Sequence, residues 1–540
     1  MDKRMDQIGA DQVVNALEKL QVKTIFGIPG IHNLDIYDSL LSSDINHITA
    51  RHEQGAGFMA DGYARINNEP GVCLVISGPG LTNIITPMGQ AMADSIPMVV
   101  ISSQLPTSSL GQGTGSLHEL DNSTYLAESV AKESKRIMHK DKIVSGIEEA
   151  YQLAMSGRPG PVHIEIPMDI LQTPIFNTKL TNNNYSFSCD PWENLDQEDQ
   201  INSTVKLLKK AEQSIIIAGG GSTQAGEELK HIIEKIEIPV VQTIAGKGVI
   251  REDHPLCLGA SMIFDEVQEK IKNSDCVLAV GTEIAPTDLE GRELNIEGTL
   301  VQIDMDAGNF QRNFIADIEI RGDASRILKR INHKLEDLRI GNYQEKEEII
   351  EHSKKELMNL RGMDESKVDF TLNMLKAMRK AVPRDGVLVA DMTTPAYVAR
   401  NEYPAFQPNT FLHPVGYGTL GYALPAAIGV KFADMERDVA VLAGDGGFQF
   451  TIQELGVLLE NEMSLPIIIW NNDGFGEIRK NELKRHPNET IAVDHKNPDF
   501  KKLATSYNLS YSQIKRPSKL ESTLKEAFNK SKPEIIEVLV

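Results

Sequence analysis

Short runs of β-branched and aliphatic residues alternate along the chain with segments of helical periodicity. Seven of these runs predict buried strands: VCLVISG, MVVISS, SIIIAGGG, PVVQT, CVLAVG, VAVLAGDG and LPIIIWNN. Continuous apolar runs of this length are typical of parallel strands that helices cover on both faces. Their alternation with helical segments indicates βαβ units. We therefore predict an α/β protein whose domains are mainly parallel sheets flanked by helices.

Two stretches interrupt this alternation. Residues 173–199 are rich in Asn and lack periodicity, which is typical of a linker. Residues 334–362 are strongly charged and mostly helical in pattern, which predicts a second connecting segment. The chain is thereby divided into residues 1–172, 200–333 and 363–540, and each of these segments has the length of one domain.

The first and third segments repeat one plan. Each has a strand, a glycine-containing turn, a helix and a second strand, with Pro97 or Pro466 at the start of that second strand. This repetition predicts a pair of related domains. The middle segment contains AGGGSTQAG, which resembles a dinucleotide-binding turn but lacks the full glycine spacing and a correctly placed acid. A nucleotide-binding protein built on that turn is therefore a weak alternative.

Composition narrows the class of protein. The net charge of −21 argues against nucleic acid or an anionic membrane as a general partner. No apolar run has the length that crosses a bilayer, and the first twenty residues have the pattern of an amphipathic helix rather than a signal peptide. The cysteines have no metal-ligand spacing, which predicts single thiols in a reducing cytoplasm; they are Cys73, Cys189, Cys257 and Cys276.

The segment LAGDGGFQF carries the first candidate chemistry. Its glycines follow a strand and open a helix, as in phosphate-binding loops, but Asp445 would repel a phosphate unless a cation lay between them. The next strand ends at Asn471 and Asn472, at the sheet edge where ligands bind. Asp445, Asn472 and the carbonyl of Gly474 would offer three oxygens to Mg²⁺, with diphosphate oxygens and a water as the others. Alternatively, Asp445 caps a helix and the two asparagines form a turn.

The order GDG, 24 further residues and then NN resembles the thiamine diphosphate signature. The segments FGIPG, RHEQGAGFMADGYAR, SGPGLTN, DSIPMVVISSQ and GYGTLGYALPAAIG are similar to those of the acetolactate synthase and 2-oxo acid decarboxylase family. The resemblance implies a pyrimidine-binding, a middle and a diphosphate-binding domain, with thiamine diphosphate and Mg²⁺ as cofactors. It also implies a homodimer or homotetramer whose active sites lie between subunits.

The same resemblance gives roles to single residues. Glu53 matches the glutamate that hydrogen-bonds the cofactor's pyrimidine ring; otherwise it is an acid favoured by the helix dipole at a helix start. Leu420 matches the apolar side chain that holds the cofactor bent, and Gly418 the carbonyl that accepts from its amino group; otherwise Leu420 is a core leucine. The remaining implied cofactor contacts are Gly444, Gly446, Gly447, Thr393, Thr394, Asn472, Gly474 and Phe475.

The reaction that the resemblance implies is loss of CO₂ from a 2-oxo acid through an enamine intermediate. His32 and His118 are candidates for delivering the proton that completes an aldehyde product. A lone histidine is more often a packed or surface residue, so both roles have that alternative.

The segments LHEL, GYGTLGYALPAAIG and WNNDGFGEIRK are similar to those of 5-guanidino-2-oxopentanoate (2-ketoarginine) decarboxylases. A guanidinium substrate requires a carboxylate partner. Glu119 and Asp121 are available on a loop, although loop acids are usually only solvated. Glu477 and Arg479 are further polar groups near the predicted cofactor mouth.

Acetolactate synthesis is the alternative reaction. True synthases carry a flavin-contacting segment where this chain has EIAPTDLEG, and a tryptophan after the NN pair that is missing here. Both departures argue against acetolactate synthesis and against FAD. A relative that has lost catalysis is disfavoured because Glu53, Asp445 and Asn472 are all present.

Overall fold

The computed structural model describes residues 7–175, 196–335, 356–359 and 361–540. In these ranges the chain forms three sheets of six, five and six strands, flanked by helices. Neighbouring strands in all three sheets are parallel. The predicted fold class is therefore confirmed. Cys189 and most of the two predicted linkers lie outside the described residues, so the linkers remain predictions.

The strands are numbered in chain order. The first sheet contains β1 (Thr24–Gly27), β2 (Asn46–Thr49), β3 (Gly71–Val75), β4 (Met98–Gln104), β5 (Glu133–Arg136) and β6 (Pro161–Pro167). The middle sheet contains β7 (Ser214–Ala218), β8 (Val240–Gln242), β9 (Cys276–Val280), β10 (Thr299–Asp304) and β11 (Ile318–Arg321). The third sheet contains β12 (Val387–Ala390), β13 (Phe411–Leu412), β14 (Val439–Gly444), β15 (Pro466–Asn471), β16 (Ser510–Ile514) and β17 (Glu534–Leu539).

The helices connect these strands. Those of the first domain are Gly9–Lys19, Leu34–Leu40, Glu53–Asn67, Pro79–Asp94, Ser123–Glu128, Ile143–Met155 and Met168–Leu171. Those of the middle domain are Glu198–Lys210, Gly226–Ile236, Asp265–Lys272, Pro286–Leu289 and Ala324–Lys334. Those of the third domain are Glu365–Ala381, Thr394–Glu402, Ala423–Ala433, Asp445–Phe448, Leu455–Glu460, Gly476–Arg485, Phe500–Ser506 and Pro517–Phe528.

The first and third sheets have the same strand order. The first runs β2-β1-β3-β4-β6-β5 and the third runs β13-β12-β14-β15-β17-β16, so equivalent strands occupy equivalent places. The middle sheet differs, with the order β11-β10-β9-β7-β8. In the third sheet Val441 lies opposite Ile467 and Gly444 opposite Trp470, which brings the ends of β14 and β15 to one edge. The repeat read from the sequence is therefore present as a repeated topology.

All seven strands predicted from apolar runs are present, and the interiors of these strands are buried. The apolar faces of the first and third domains merge into one continuous core cluster. The Glu53–Asn67 helix of the first domain and the Ala423–Ala433 helix of the third domain pack against each other within this cluster. The first and third domains therefore form one packed unit within a single chain.

Glycines allow these two helices to touch backbone to backbone. A Cβ added at Gly62 would lie 2.0 Å from the carbonyl oxygen of Ala426, and one added at Gly429 would lie 1.9 Å from that of Met59. The contact partners run in opposite directions along the two helices, so the pair is antiparallel. Neither contact leaves room for a side chain.

We expect Gly429→Ala to destabilise the protein by about 1–3 kcal/mol, because the added methyl group forces two packed backbones apart. The midpoint of urea unfolding measures this. Gly308→Ala is the matched control, since its added Cβ would meet only side-chain ends 3.2 Å or more away. Equal midpoints for the two variants would contradict the close helix contact.

A buried polar network joins the same two domains. Arg65 pairs with Asp61 at 2.7 Å and with Asp94 at 2.8 Å, and the hydroxyl of Tyr422 donates to Asp61 at 2.7 Å. Asp94 also accepts the N–H of Gly416 at 2.8 Å. These bonds fix the chain around residues 416–422 against the first domain.

Among the described residues, no helix combines the length and the apolar character that crossing a bilayer requires. Cys73, Cys257 and Cys276 are buried.

Candidate active site at the edges of two sheets

Glu53 lies at the carboxyl edge of the first sheet. It is the first residue of the Glu53–Asn67 helix, which follows β2, and it is 7% exposed. The helix is capped by His52, whose Nδ1 accepts the N–H of Gln54 at 3.1 Å. Glu53 Oε2 accepts from Asn83 Nδ2 at 2.9 Å, and within the described residues its other oxygen accepts no hydrogen bond. Because His52 does the capping, one carboxylate oxygen of Glu53 is left available to a ligand.

His32 and His118 meet at the same edge. Their rings form an edge-to-face pair with centroids 5.2 Å apart, and His32 Nδ1 lies 2.7 Å from Ser77 Oγ. Burial lowers the pKa of His32, and the neighbouring His118 lowers it further. His118 has a left-handed backbone (φ 68°) and packs on Gly78, where a Cβ would lie 2.7 Å from the Cβ of His118. The structure therefore brings the two predicted proton donors together.

Glu119 holds the loop that carries His118. Its carboxylate accepts three backbone N–H groups of the same loop, from Gly113 at 2.9 Å, Gly115 at 2.8 Å and Ser116 at 2.9 Å. These hydrogen bonds lower the pKa of Glu119. Both of its oxygens therefore already have partners, and its role as a substrate ligand remains a prediction. Asp121 on the same loop is exposed.

At the carboxyl edge of the third sheet, three polar groups converge. The side-chain amide of Asn472 lies 3.1 Å from Asp445 Oδ1 and 2.9 Å from the carbonyl oxygen of Gly474. Adjacent ligand oxygens around an octahedral Mg²⁺ with bonds of 2.0–2.1 Å lie about 3 Å apart. With its nitrogen on this side, the Asn472 amide donates to both oxygens. With its oxygen on this side, the three oxygens have the spacing of Mg²⁺ ligands, so the predicted set of metal ligands fits Mg²⁺ in that orientation.

The other oxygen of Asp445 is held by the protein. Asp445 is 1% exposed, and its Oδ2 accepts from Gly474 N at 3.0 Å and from Asn497 Nδ2 at 2.7 Å. Asn497 also donates to Asn471 Oδ1 at 2.9 Å. Arg479 donates to the carbonyls of Asn472 at 3.2 Å and Asp473 at 2.6 Å. These contacts orient the carboxylate and the loop so that the three polar groups face one point.

In the described residues, no group of three or more His, Cys, Asp and Glu side chains could hold a metal ion. A metal site at Asp445 would therefore need amide, carbonyl and ligand oxygens as well as one carboxylate. Such a site suits Mg²⁺ bound together with a diphosphate.

The predicted diphosphate contacts surround this point. A Cβ on Gly446 would lie 2.8 Å from the Phe475 ring, and one on Gly444 would lie 3.0 Å from Thr393 Oγ1. Thr393 precedes the first residue of the Thr394–Glu402 helix, and a Cβ on Gly476 would lie 3.8 Å from Thr394 Oγ1. The glycines thus keep a narrow space between three loops, as a phosphate-binding backbone requires.

Leu420 and Gly418 border the same space. A Cβ on Gly447 would lie 3.7 Å from Leu420 Cδ2, and one on Gly418, which has φ 71°, would lie 3.5 Å from the methyl group of Met392. Asp391, which sequence reasoning missed, accepts the N–H of Gly421 at 2.9 Å. Burial raises the pKa of Asp391 to about 6. The Leu420 turn is thereby tied to the end of β12.

Glu477 is the second residue of the Gly476–Arg485 helix. This helix follows the loop at residues 471–475, which we call the metal loop for its predicted role. It is half-buried, lies 3.2 Å from Lys480 Nζ, and is close enough to Tyr397 that its charge contributes to raising the pKa of that phenol. Arg479, the other polar group predicted near the mouth, is instead turned toward the metal loop. Glu477 therefore remains the candidate carboxylate on this side.

The Leu420 turn contacts the Glu53–Asn67 helix beyond its first turns. In the antiparallel helix pair, Glu53 lies at one end of its helix, whereas Arg65 and Asp61, near the other end, contact Tyr422 just after Leu420. At a rise of about 1.5 Å per residue along the helix, Asp61 is about 12 Å and Arg65 about 18 Å from Glu53.

The glycine-rich turn of the middle domain has a packing role. Gly221 N–H donates to the carbonyl of Gly281 at 2.9 Å, and a Cβ on Gly219 would lie 2.3 Å from the same oxygen. The loops after β7 and β9 thus close against each other at the point where the strand order reverses. Their close approach explains these glycines without a dinucleotide.

Comparison with known proteins gives matches over the three domains. Residues 8–125 match the N-terminal TPP binding domain of thiamine pyrophosphate enzymes, residues 201–331 match the central domain, and residues 391–538 match the C-terminal TPP binding domain.

The chain is also similar to curated proteins over nearly its full length. It is 36% identical to a probable 2-ketoarginine decarboxylase of Pseudomonas aeruginosa, over 97% of this chain and 93% of that protein. It is 32% identical to a probable acetolactate synthase large subunit of Methanocaldococcus jannaschii, over 98% and 92%. It is 32% identical to the acetolactate synthase isozyme 3 large subunit of Escherichia coli, over 96% and 92%.

Proposed function

The chain belongs to the thiamine pyrophosphate enzyme family, and we propose that it decarboxylates a 2-oxo acid that carries a guanidinium group, 5-guanidino-2-oxopentanoate, to 4-guanidinobutanal. The overall reaction releases CO₂ and takes up one proton, so it requires no oxidant or reductant. The observations that support the cofactor assignment are the matches to the two TPP binding domains and the approach of the Asp445 carboxylate, the Asn472 amide and the Gly474 carbonyl to one another. The similarity to a probable 2-ketoarginine decarboxylase supports the substrate.

Thiamine diphosphate, when bound, supplies the nucleophilic carbon that adds to the 2-oxo group and the electron sink for CO₂ loss. Asp445, Asn472 and Gly474 would hold the Mg²⁺ and, through it, the diphosphate. Glu53 would hold a proton at a pyrimidine nitrogen, and Leu420 would support the bent cofactor. These roles follow from side chains that are already oriented by Asn83, Asn497 and the glycine contacts.

His32 and His118 would deliver the proton that completes the aldehyde. The lowered pKa of His32 favours its neutral form, so it would take up a proton from solvent and pass it to the product carbon. The pairing of His32 with Ser77 fixes its ring next to His118.

The active form would be a homodimer or homotetramer in which a second copy supplies Glu53 to the Leu420 turn. In its own chain, the helix residues that contact Tyr422, next to Leu420, lie about 12–18 Å along the helix from Glu53, which supports this arrangement. Large apolar side chains that neighbour these residues in the sequence lie exposed, and their burial would favour such an association: Ile31, Leu34 and Leu117 next to the histidines, Tyr417 next to Gly418, Phe450 after the Asp445–Phe448 helix and Ile478 next to Glu477.

Glu477 would bind the guanidinium end of the substrate. Its carboxylate lies near the metal loop, and its partner Lys480 is on the same face of the helix, one turn away. We expect Glu477→Gln to raise KM for 5-guanidino-2-oxopentanoate about 10- to 100-fold, because a charged hydrogen-bond partner is lost. KM for 2-oxohexanoate, whose side chain is uncharged, should change less than about threefold. Equal changes for both substrates would contradict this assignment.

The alternative function is carboligation of the acetolactate synthase type. It is supported by the synthases among the relatives. The EIAPTDLEG segment and the absence of a tryptophan after the NN pair argue against it.

The decisive experiment incubates the protein with thiamine diphosphate, Mg²⁺ and one 2-oxo acid at a time. Pyruvate, 5-guanidino-2-oxopentanoate, a branched and an aromatic 2-oxo acid are compared, and CO₂, aldehyde and acetolactate are measured separately. We expect 4-guanidinobutanal and CO₂ in equal amounts from the guanidino acid. Acetolactate as the main product from pyruvate would overturn the proposal.

A further inference from the structure

The segment after Asp445 reaches from the third domain to the start of the Glu53–Asn67 helix. It contains the Asp445–Phe448 helix, a turn at Ile452–Glu454 and the Leu455–Glu460 helix. At its centre Glu454 is fully buried, and its two carboxylate oxygens lie 3.0 and 3.2 Å from the backbone nitrogen of Arg51. The contact joins residues 403 positions apart in the sequence.

The surrounding residues leave space for this carboxylate and little else. A Cβ on Gly55 would lie 2.3 Å from Glu454 Oε1 and 2.5 Å from its carboxyl carbon. A Cβ on Gly456 would lie 2.9 Å from Arg51 Nε. The glycine in the first turn of the helix therefore permits the approach of Glu454.

Arg51 is held at both ends. Its guanidinium pairs with Glu460 at 2.5 Å and donates to the carbonyl of Thr49 at 2.8 Å, while its backbone N–H is taken by Glu454. The chain between β2 and Glu53 is thus fixed by two acids of the Ile452–Glu460 segment. Nothing in the chemistry assigned to Glu53, His32 and His118 uses Glu454.

Burying a carboxyl group is costly unless donors compensate it. Burial raises the pKa of Glu454 to about 7, and the backbone N–H and the charge of Arg51 act in the opposite direction. The compensation comes from backbone donors immediately before Glu53, so the energy of this contact depends on where the helix begins.

We propose that Glu454 is a positioning residue for Glu53: its carboxylate holds the backbone of Arg51 and thereby sets the place at which the Glu53–Asn67 helix starts. This inference rests on the proposed function insofar as Glu53 is the catalytic acid. Because Asp445 belongs to the same segment, the metal ligand of one site and the glutamate helix are linked within one chain.

Two variants and a matched control test this. Glu454→Ala removes the acceptor, and Glu454→Gln retains one oxygen at the same place. Asp288→Asn is the control, because Asp288 is a partly exposed acid of the middle domain whose pKa is also raised, to about 6, by desolvation, and which also accepts a backbone N–H, from Ile244 at 3.1 Å.

The first measurement is amide hydrogen exchange of the protein without cofactor. Glu454→Ala should speed exchange in the peptide that covers residues 51–57 at least about tenfold, Glu454→Gln less, and Asp288→Asn not at all. Unchanged exchange in that peptide would overturn the proposal whatever the protein catalyses.

The second measurement separates positioning from folding. We expect Glu454→Ala to lower kcat about 10- to 100-fold, as a misplacement of about 1 Å can do, with thiamine diphosphate affinity changed less than about threefold and partial rescue in Glu454→Gln. A fall in cofactor affinity equal to the fall in kcat would indicate a merely structural role and overturn it. If Glu454→Ala does not fold, the kcat and the cofactor affinity of Glu454→Gln are compared with those of Asp288→Asn, and the same criteria apply. A wild-type protein with no decarboxylase activity, in which exchange still depends on Glu454, would refute the proposed function and leave the contact standing.

Discussion

Glu53→Gln is expected to lower kcat for CO₂ release about 10²- to 10⁴-fold while the protein stays folded. Proton transfer by a positioned side chain contributes a factor of this size, and a glutamine amide neither carries the charge nor takes up the proton. The structure explains why folding should survive, since His52 rather than Glu53 caps the helix. The amide oxygen of the new glutamine could still accept from Asn83, the present partner of Glu53.

CO₂ release under saturating thiamine diphosphate and Mg²⁺ measures this effect, and the thermal unfolding midpoint checks the fold. Glu69→Gln is the control, because Glu69 is an exposed acid of the same domain. It should keep full activity. Turnover by Glu53→Gln at the wild-type rate would overturn the mechanism, while lost activity with a lowered unfolding midpoint would point to damage of the helix instead.

The apolar runs of the sequence were sufficient to predict the central strands. A run such as IIIW in β15 is buried on both faces, so its pattern depends only on burial, and Trp470 is 2% exposed there. The edge strands β5 and β16 read ESKR and SYSQI, and each of their residues except Ile514 is partly or fully exposed. Such strands form because a neighbouring strand offers hydrogen bonds, and that neighbour is not visible in their own composition.

The position of Asp445 and Asn472 at one sheet edge could be predicted for a similar reason. Asp445 and Asn472 each follow a predicted buried strand, and parallel strands bring their carboxyl ends to one edge. The predicted Glu119 is different, because its partners are backbone N–H groups of a loop with three glycines in the left-handed region. No side-chain pattern in LHEL indicates that its carboxylate holds the loop together.

The residues that orient the site were missed because their contacts are distant in sequence. Asn497 reaches Asp445 across 52 positions, and Glu454 reaches Arg51 across 403. Asn83 belongs to the SGPGLTN segment that was recognised, but its bond to Glu53 depends on how two helices pack. Tertiary packing decides these partners, and one sequence without its fold contains no local signal for them.

Asp445→Asn is expected to weaken binding of Mg²⁺ and thiamine diphosphate about 100-fold or more. Loss of a residue that only supports a metal ligand costs 10- to 100-fold in affinity, and this change removes the one carboxylate among the three converging groups. It also places an amide N–H₂ or an uncharged oxygen against Gly474 N–H and Asn497, which now donate to Asp445 Oδ2.

A second variant and a control are compared with Asp445→Asn. Asn497→Ala leaves the converging groups in place and removes one of the donors to Asp445 Oδ2, so we expect a loss of about tenfold. Asp473→Asn is the control, since Asp473 is exposed, and its left-handed backbone (φ 53°) is one that asparagine also adopts.

Titration calorimetry with thiamine diphosphate at fixed Mg²⁺ measures the affinities, and the rise in unfolding temperature on adding both ligands gives an independent readout. The order of affinities should be wild type and Asp473→Asn, then Asn497→Ala, then Asp445→Asn. Because these protein groups would bind Mg²⁺ rather than the cofactor directly, a higher Mg²⁺ concentration should partly restore cofactor binding in Asn497→Ala. Wild-type affinity in Asp445→Asn would mean that the three groups converge for a reason other than a metal, and the cofactor site would then have to lie elsewhere.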